Sequence, residues 1–310
     1  MEEQARSGRL EAYFFRALFH ILWALGKPFG GIRPRRWYDI IGRRAYPQPA
    51  FAWRRNRWGT DLFLSPSYHI DRQIMVFGTY DLDLHLALEH LLRPGMICLD
   101  VGANLGEMAL HMAAKVGPGG TVYAFEPAPR AFERLQSHVD RNGLSSIVRV
   151  LALALSARSG TAVLAHADDR ADNQGLASLV NTAHPAVSQR VEIRTQTLDD
   201  FAAGHKLARI DLIKVDIQGA EMQFLRGGPN VLATLAPDLL MEISPDDLRH
   251  DAGDSRKLCE MLEGYGYAIY ELKRGRPTAR LRPAAVSPSF SATNVYCTKK
   301  SLPGAGGVRL

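Results

Sequence analysis

The chain has 310 residues, of which 46% are hydrophobic and 23% are charged. This composition excludes a mainly disordered or fibrous protein, and the length suits one large α/β domain with additions. The net charge of +6 is uneven: residues 1–60 contain 12 Lys and Arg against 4 Asp and Glu, whereas residues 61–310 contain 26 against 28.

The three cysteines, Cys98, Cys259 and Cys297, form no CxxC pair. This spacing disfavours a zinc knuckle or a thioredoxin-like redox site. A sparse, odd number of cysteines fits a reducing compartment. The first residues also lack the basic start and apolar core of a secretory signal, so the sequence predicts a cytoplasmic protein.

Residues 1–60 are predicted to form a basic helical extension. Tyr13–Leu25 is apolar but carries Arg16 and His20 and is too short to span a bilayer, so it predicts a helix with a narrow polar stripe. This helix can pack on its own protein or mediate self-association. Alternatively, with the neighbouring arginines, it can lie in the plane of the inner membrane face. No nucleic-acid module signature is present, which disfavours a nucleic-acid partner.

The chain between residues 61 and 300 predicts one α/β domain, followed by a flexible tail at 301–310. Residues 46–75 indicate short strand-like pieces, including 61–64, and residues 81–92 indicate a helix. Apolar strands then alternate with helices, which predicts a mostly parallel sheet covered on both faces. The predicted strands are 96–101, 121–125, 147–153, 161–164, 191–195, 210–215 and 239–243, and a final antiparallel pair at 267–272 and 294–298. The predicted helices between them are 107–115, 131–140, 220–225 and 255–262.

The most informative segment is Leu99–Glu107, in which a buried strand is followed by a glycine-containing turn and then by a helix. Gly102 and Gly106 allow the backbone of such a turn to approach a ligand closely. The turn lies at the carboxyl edge of the sheet, where doubly wound folds bind ligands. The next predicted strand ends at Glu126, whose carboxylate can accept hydrogen bonds from a ribose diol.

Two cofactor classes fit this turn. A dinucleotide site requires G-x-G-x-x-G facing a pyrophosphate, whereas Gly102 and Gly106 here flank Asn104, and Asp100 precedes them. A carboxylate at Asp100 disfavours a pyrophosphate and favours a sulfonium cation with its α-amino group. The charge pattern therefore favours S-adenosylmethionine over NAD, although an NAD-linked oxidoreductase remains an alternative.

A series of short segments between about residues 62 and 298 matches one known family. The segments are Tyr80-Asp81, Pro94-Gly95, Leu99–Gly106, Phe125–Pro127, Asn142-Gly143, Ala154–Ser156, Thr197–Asp199, Ile210–Glu221 and Met241–Ile243. With them the sequence resembles the FkbM family of S-adenosylmethionine-dependent methyltransferases. The most specific part is Lys214–Glu221, with one departure at Gln218, where the family more often has Glu. The resemblance implies a seven-stranded, Rossmann-like class I methyltransferase sheet.

The resemblance also implies roles for individual residues. The implied cofactor-binding residues are Asp100, Gly102, Ala103, Asn104, Gly106, Glu126, Pro127, Ala152, Leu153 and Asp216. The implied substrate-binding residues are Tyr80, Asn173, Ser178 and Gln218, of which Asn173 and Ser178 lie in a polar segment, 168–185, that could cover the acceptor together with His184.

Asp216 is the first candidate for the general base, and Lys214, two residues earlier on the same strand face, is assigned to the catalytic group with it. Its alternative role is to cap the following helix. Glu242, at the end of the next strand, is a second catalytic candidate, and its alternative role is to pair with Lys214. Asp216 and Glu242 could together hold Mg²⁺. Glu221 could simply complement the dipole of the helix that follows.

Two acceptor chemistries are disfavoured by missing motifs. No Asn-Pro-Pro-Tyr-like motif for amino methylation follows the fourth parallel strand, and no Pro-Cys pair for cytosine methylation is present. The resemblance implies O-methylation of a hydroxyl on a sugar, a glycolipid or a polyketide-like small molecule, with a small-molecule or lipid-linked glycan as acceptor. A non-catalytic module that binds a membrane or a partner through residues 1–60 is a further alternative.

Overall fold

The computed structural model describes residues 45, 50–167, 187–243, 255–273, 276–280 and 293–300. The predicted N-terminal helix, the polar segment 168–185 and the tail at 301–310 lie outside these residues. The described residues divide into two compact units, one ending at Tyr80 apart from Ala167, and the other beginning at Asp81. Within the described part of the chain, no helix is long and apolar enough to cross a membrane.

The first unit contains a hairpin and a helix. Strands β1 (Ala52–Arg55) and β2 (Asp61–Leu64) pair antiparallel, and helix α1 (His69–Phe77) follows. The strand predicted at 61–64 is confirmed. The predicted domain boundary between residues 60 and 61 falls inside the hairpin, and that boundary stays a prediction.

The sequence predicts strand-like pieces up to residue 75, and this is wrong for residues 69–75, which belong to helix α1. The helix buries polar side chains, and these are satisfied by bonds to the turn before it. Arg72 Nη1 donates to the carbonyl oxygens of Pro66 and Ser67, each at 2.9 Å. Asp71 Oδ2 accepts from the backbone N–H of Ser65 at 2.8 Å.

The second unit follows the predicted alternation of helices and strands. Its helices are α2 (Leu82–Leu91), α3 (Glu107–Val116), α4 (Pro129–Arg141), α5 (Leu198–Gly204), α6 (Glu221–Arg226) and α7 (Ser255–Gly264), with a π-helical turn at Val231–Leu235. Its strands are β3 (Ile97–Val101), β4 (Thr121–Phe125), β5 (Val148–Leu151), β6 (Ala154–Leu155), β7 (Gly160–Ala167), β8 (Val187–Gln196), β9 (Leu212–Val215), β10 (Asp238–Ile243), β11 (Ala268–Lys273), β12 (Arg276–Arg280) and β13 (Thr293–Thr298).

The large sheet confirms the predicted mostly parallel arrangement. Strands β5, β4, β3, β9 and β10 are neighbours in that order and all pair in parallel. Strands β13 and β11 continue the sheet antiparallel, which gives the seven strands of the prediction, and β12 adds an eighth at the edge. Strands β6, β8 and β7 form a separate three-stranded sheet.

Both faces of the large sheet are buried, as the continuous apolar strands indicate. One face carries alternate residues such as Leu99, Ile213 and Met241, which pack into a cluster with side chains of α5, α6 and α7. The residues between them face the other way, and α3 contacts β3, β4 and β5. Because side chains alternate along a strand, Asp100 and Lys214 lie on the face opposite that cluster.

A buried polar chain joins α2 to α3. The rings of His85 and His111 stack with centroids 4.7 Å apart, and a hydrogen bond joins their Nδ1 atoms. His85 Nε2 lies 3.5 Å from a Glu107 carboxylate oxygen, and His111 Nε2 lies 2.6 Å from Glu89, which also contacts Lys115. Burial and the neighbouring His85 lower the pKa of His111 to about 4. These contacts fix the two helices against each other.

The packing around Gly227 predicts a large loss of stability when this glycine is replaced by alanine. Gly227, which ends α6, has an ordinary φ of −83°, but an added Cβ would lie 2.1 Å from the backbone oxygen of Ser156. We expect Gly227→Ala to lower the free energy of unfolding by more than about 2 kcal/mol in urea denaturation.

The matched control is Gly204→Ala at the end of α5, where an added Cβ meets nothing within 4 Å. This change should leave stability unchanged or raise it slightly. Equal effects of the two substitutions would show that the Gly227 contact is not a constraint.

Candidate active site

The turn after β3 has the backbone conformation that its glycines predict. Gly102, Asn104 and Gly106 have φ angles of 76°, 50° and 92°. The N–H groups of Gly102 and Ala103 both donate to the carbonyl oxygen of Phe125, the last residue of β4, at 3.1 and 2.9 Å. The turn is therefore fixed to the neighbouring strand.

The glycines are also required by the protein's own packing. A Cβ at Gly102 would lie 2.0 Å from the backbone oxygen of Asp216, and one at Gly106 would lie 2.2 Å from Leu135 Cδ1. The close approach at Gly102 brings the turn against the loop that follows β9.

Lys214 lies at the centre of the site. It is 4% exposed, and its Nζ lies 2.9 Å from the carbonyl oxygen of Gly102, 3.1 Å from Asp100 Oδ1 and 3.7 Å from Asp216 Oδ2. Although burial opposes its charge, the carboxylates of Asp100 and Asp216 raise the pKa of Lys214. The ammonium group therefore links the end of β3, the glycine turn and the end of β9.

Asp100 and Lys214 are partners in the parallel pairing of β3 with β9. Asp100 is fully buried, and burial raises its pKa although the Lys214 charge opposes this. A buried carboxylate with an adjacent ammonium is the expected form of a charge inside a protein.

Glu126, which follows β4, is bonded to the glycine turn. Its Oε2 accepts from the N–H of Asn104 at 2.8 Å, and its Oε1 accepts from the N–H of Ala128 at 2.9 Å. Burial raises the pKa of Glu126 to about 7, against the lowering effect of these two bonds. The carboxylate thus lies beside the turn, at the carboxyl edge of the sheet, as the sequence predicts.

The loop after β9 holds the first candidate base. Asp216 is 27% exposed at its side chain, and its Oδ1 accepts from Gln218 Nε2 at 3.3 Å. Helix α6 begins at Glu221 without a side-chain cap, so Asp216 does not take its alternative role as a helix cap. It lies beside Lys214 and the glycine turn instead.

Glu221 does more than complement the dipole of α6, because its carboxylate binds the backbone of the loop before the helix. It is 3% exposed, and its Oε1 accepts from the N–H groups of Ile217 and Gly219 at 3.4 and 3.2 Å. Gln218 between them has a φ of 53°. Glu221 therefore holds the strained loop that carries Asp216 and Gln218.

Glu242 lies at the same edge of the sheet. The parallel pairing of Lys214 with Leu240 and of Val215 with Met241 brings Glu242 level with Asp216. Glu242 is half-buried and is opposite Asn294 in the antiparallel pair β10–β13. The ion pairs of Lys214 go to Asp100 and Asp216, so its alternative pairing with Glu242 is not formed.

The other residues predicted to bind cofactor or substrate do not all lie beside the glycine turn. Pro127 follows Glu126, whereas Ala152 is exposed after β5 and Leu153 is 9% exposed and packs in the main core cluster. Tyr80 belongs to the first unit, where it is 37% exposed and its ring contacts His69 edge-on. Asn173, Ser178 and His184 lie outside the described residues.

The proposed magnesium ligands gain no support. Among the described residues, no group of three or more His, Cys, Asp and Glu side chains could hold a metal ion. The carboxylate of Asp216 instead faces the ammonium group of Lys214.

The sequence gives no signal for one contact at this edge of the sheet. Asn294 Nδ2 donates to Asp81 Oδ2 at 2.8 Å, across 213 residues of chain. Asp81 also caps α2, because its carboxylate accepts from the N–H groups of Asp83 and Leu84. The pairing of β13 with β10 brings Asn294 opposite Glu242, and Asp81 reaches this edge through its bond to Asn294.

Comparisons with known proteins agree with this geometry. A sequence model of the Methyltransferase FkbM domain matches residues 100–269, more than half of the chain. The 31-O-demethyl-FK506 methyltransferase FkbM of Streptomyces tacrolimicus is 27% identical over 202 residues, covering 57% of this chain and 75% of that protein. The 2-O-methyltransferase NoeI of Sinorhizobium fredii is 27% identical over 198 residues, covering 60% and 79%. Methyltransferase 1 of Beauveria bassiana is 28% identical over 189 residues, covering 55% and 72%.

The buried Glu221 predicts a pH-dependent stability difference. Burial raises the pKa of Glu221 to about 7 from its ordinary value of 4.5, so the folded state binds this proton more tightly than the unfolded state. Stability is therefore lost as the pH rises from about 4.5 through 7. Gln can keep both backbone bonds through one oxygen and carries no charge. We expect Glu221→Gln to match the wild type near pH 4.5 and to gain up to about 3 kcal/mol above pH 7.

Urea denaturation across this pH range measures the difference. The control is Glu260→Gln, the same chemical change at an exposed position on α7. A pH-independent difference for Glu221→Gln would contradict the assigned cost of ionising the buried carboxyl group.

Proposed function

The chain belongs to the FkbM family of methyltransferases, and from that premise we propose that it uses S-adenosylmethionine to methylate a hydroxyl group. The acceptor we propose is a sugar, a glycolipid or a polyketide-like small molecule. The observation that carries the proposal is the position of Glu126, a buried carboxylate bonded directly to the N–H of Asn104 in the glycine turn.

The residues present fit the cofactor. Glu126 directly follows β4, the strand next to β3. Its carboxyl oxygens can accept further hydrogen bonds from the two hydroxyls of a ribose. Asp100 and the turn at Gly102–Gly106 would hold the methionine part. Bound there, the cofactor would supply a methyl group made electrophilic by a sulfonium charge.

The same residues disfavour the NAD alternative. Asp100 and Glu126 are both buried beside the turn, and a pyrophosphate would bring two negative charges toward them. A cationic sulfonium with an α-amino group is attracted by the same carboxylates. These charges favour a methyltransferase over an NAD-linked oxidoreductase.

The task of the protein is to align the acceptor oxygen and to remove its proton. Asp216 is our candidate base, because its carboxylate is partly exposed and is oriented by Lys214 and Gln218. Asp216 would accept the proton of the acceptor hydroxyl on a carboxylate oxygen, and the cofactor would supply the methyl group, its sulfur keeping the electron pair of the broken sulfur–carbon bond. Glu242, level with Asp216 on the next strand, is the second candidate.

The acceptor class is supported by the names of relatives. The FkbM of Streptomyces tacrolimicus is a 31-O-demethyl-FK506 methyltransferase, and NoeI is a 2-O-methyltransferase. Both names specify transfer to oxygen. For this chain we propose oxygen transfer on that basis, together with the carboxylates at the site.

We also propose that residues 1–60 make a peripheral membrane contact or mediate self-association. The excess of Lys and Arg in this segment supports an anionic surface as its partner. A cytoplasmic enzyme with this segment could act on a lipid-linked acceptor at the inner membrane face.

The cofactor assignment predicts the effect of removing the Glu126 carboxylate. Glu126→Ala removes the carboxyl oxygens that would accept hydrogen bonds from the ribose, so we expect the dissociation constant for S-adenosylmethionine to rise about a hundredfold in calorimetric titration. Glu133→Ala, an exposed change on α4, is the matched control and should leave the affinity unchanged. Unchanged affinity in Glu126→Ala, or no binding by the wild type, would refute the assignment.

Substituting the two candidate bases separates their roles. We expect Asp216→Asn to lower kcat by about 10²- to 10⁴-fold, because an amide cannot accept the proton, and Glu242→Gln to lower it much less. Initial rates of methyl transfer measure both, at saturating S-adenosylmethionine. The reverse order of effects would assign the base to Glu242, and two small effects would contradict base catalysis by either residue.

A further inference from the structure

Polar side chains form a row on one face of the large sheet, at its carboxyl edge. Asp100 on β3 pairs with Lys214 on β9, and Lys214 pairs in turn with Leu240 on β10. Glu242 lies two residues beyond Leu240, on the same face, and is directly opposite Asn294 on β13. The row therefore runs from the proposed cofactor site to Asn294.

The orientation of the Asn294 amide is fixed by Asp81. Asp81 Oδ1 accepts from the N–H groups of Asp83 and Leu84, both at 3.1 Å, and its Oδ2 accepts from Asn294 Nδ2 at 2.8 Å. Both Asp81 oxygens act as acceptors in these bonds, so Asn294 presents its Nδ2 to Asp81. Its Oδ1 must then face away from Asp81.

That oxygen is buried and has no hydrogen-bond partner in the described residues. A buried acceptor without a donor is costly, and such an atom in a folded protein needs an explanation. Glu242 lies across the strand pair, and it forms no hydrogen bond with this oxygen. The missing donor must therefore come from outside the described side chains.

We propose that Asn294 is a substrate-binding residue whose Oδ1 accepts a hydrogen bond from a hydroxyl of the acceptor. The inference rests on the function proposed above and refines it: the acceptor carries a second hydroxyl near the one that is methylated, as a sugar or another polyol does. Asp81 is a positioning residue, because it sets which atom of the amide faces the acceptor. Both residues lie outside the segment 100–269 that the family model matches.

The test compares two ways of breaking the Asn294–Asp81 pair. Asn294→Ala removes the oxygen that would bind the acceptor. Asp81→Ser keeps a good helix cap for α2 but is too short to reach Asn294, so it breaks only the bond between the side chains. Asn230→Ala, at an exposed position, is the control.

The probe is labelled methyl transfer from S-adenosylmethionine to a small-molecule and glycan extract of cells that lack the gene. Serial dilution of the extract separates the apparent KM from kcat, and calorimetry gives the cofactor affinity. We expect Asn294→Ala to raise the apparent KM about tenfold with cofactor affinity unchanged, and Asp81→Ser to raise it by less than about threefold. If Asn294→Ala proves too unstable to assay, Asn294→Leu, whose side chain is closer in volume to Asn, replaces it.

The outcomes are distinct. An unchanged KM for Asn294→Ala, or equal effects of Asn294→Ala and Asp81→Ser, would assign Asn294 a structural role only and overturn the inference. A parallel loss of cofactor affinity would also overturn it. If the wild-type protein transfers no label, the proposed function itself fails and the inference fails with it.

Discussion

The site depends on the buried ammonium group of Lys214. A charge removed from water is tolerated only where hydrogen bonds and opposite charges surround it, and truncating one partner leaves the others uncompensated. Here the surrounding groups are the carbonyl oxygen of Gly102 and the carboxylates of Asp100 and Asp216. They come from two segments that are far apart in sequence, the end of β3 with its glycine turn and the loop after β9, so one side chain holds together the proposed cofactor turn and the candidate base.

The carboxyl groups around Lys214 make the site electrostatically costly. Burial raises the pKa of Asp100, Glu126 and Glu221, so each carboxylate is less stable here than in water. Backbone N–H groups offset part of this cost at Glu126 and Glu221. Sites that violate the usual preferences of a stable core are expected where function requires them. An edge rich in carboxylates also matches a cationic cofactor and an acceptor that must lose a proton.

The parallel core and the glycine turn could be predicted because each depends on local sequence patterns. Apolar runs bounded by glycine predict buried strands, and Asp100, Gly102 and Glu126 have positions fixed by the ends of β3 and β4. The helix α1 could not be predicted in the same way, because Asp71 and Arg72 are polar and only their bonds to the preceding turn explain their burial. The predicted roles of Asn173 and Ser178 stay predictions.

Contacts between distant residues were beyond local patterns. The bond between Asp81 and Asn294 depends on the antiparallel return of β13 beside β10. The role of Glu221 depends on the left-handed backbone at Gln218, which no composition rule predicts for that residue type. Sequence reasoning thus identified the strand ends, and the structure showed which side chains those ends bring together.

The most direct test of the account is a crystal structure of the protein with S-adenosylhomocysteine. We expect the ribose hydroxyls to lie within hydrogen-bond distance of the Glu126 carboxylate and the amino-acid part to lie beside Asp100 and Gly102, with Lys214 still bonded to the Gly102 carbonyl oxygen. A product bound away from the glycine turn, or a turn that has separated from Lys214 on binding, would contradict the central role assigned to this cluster.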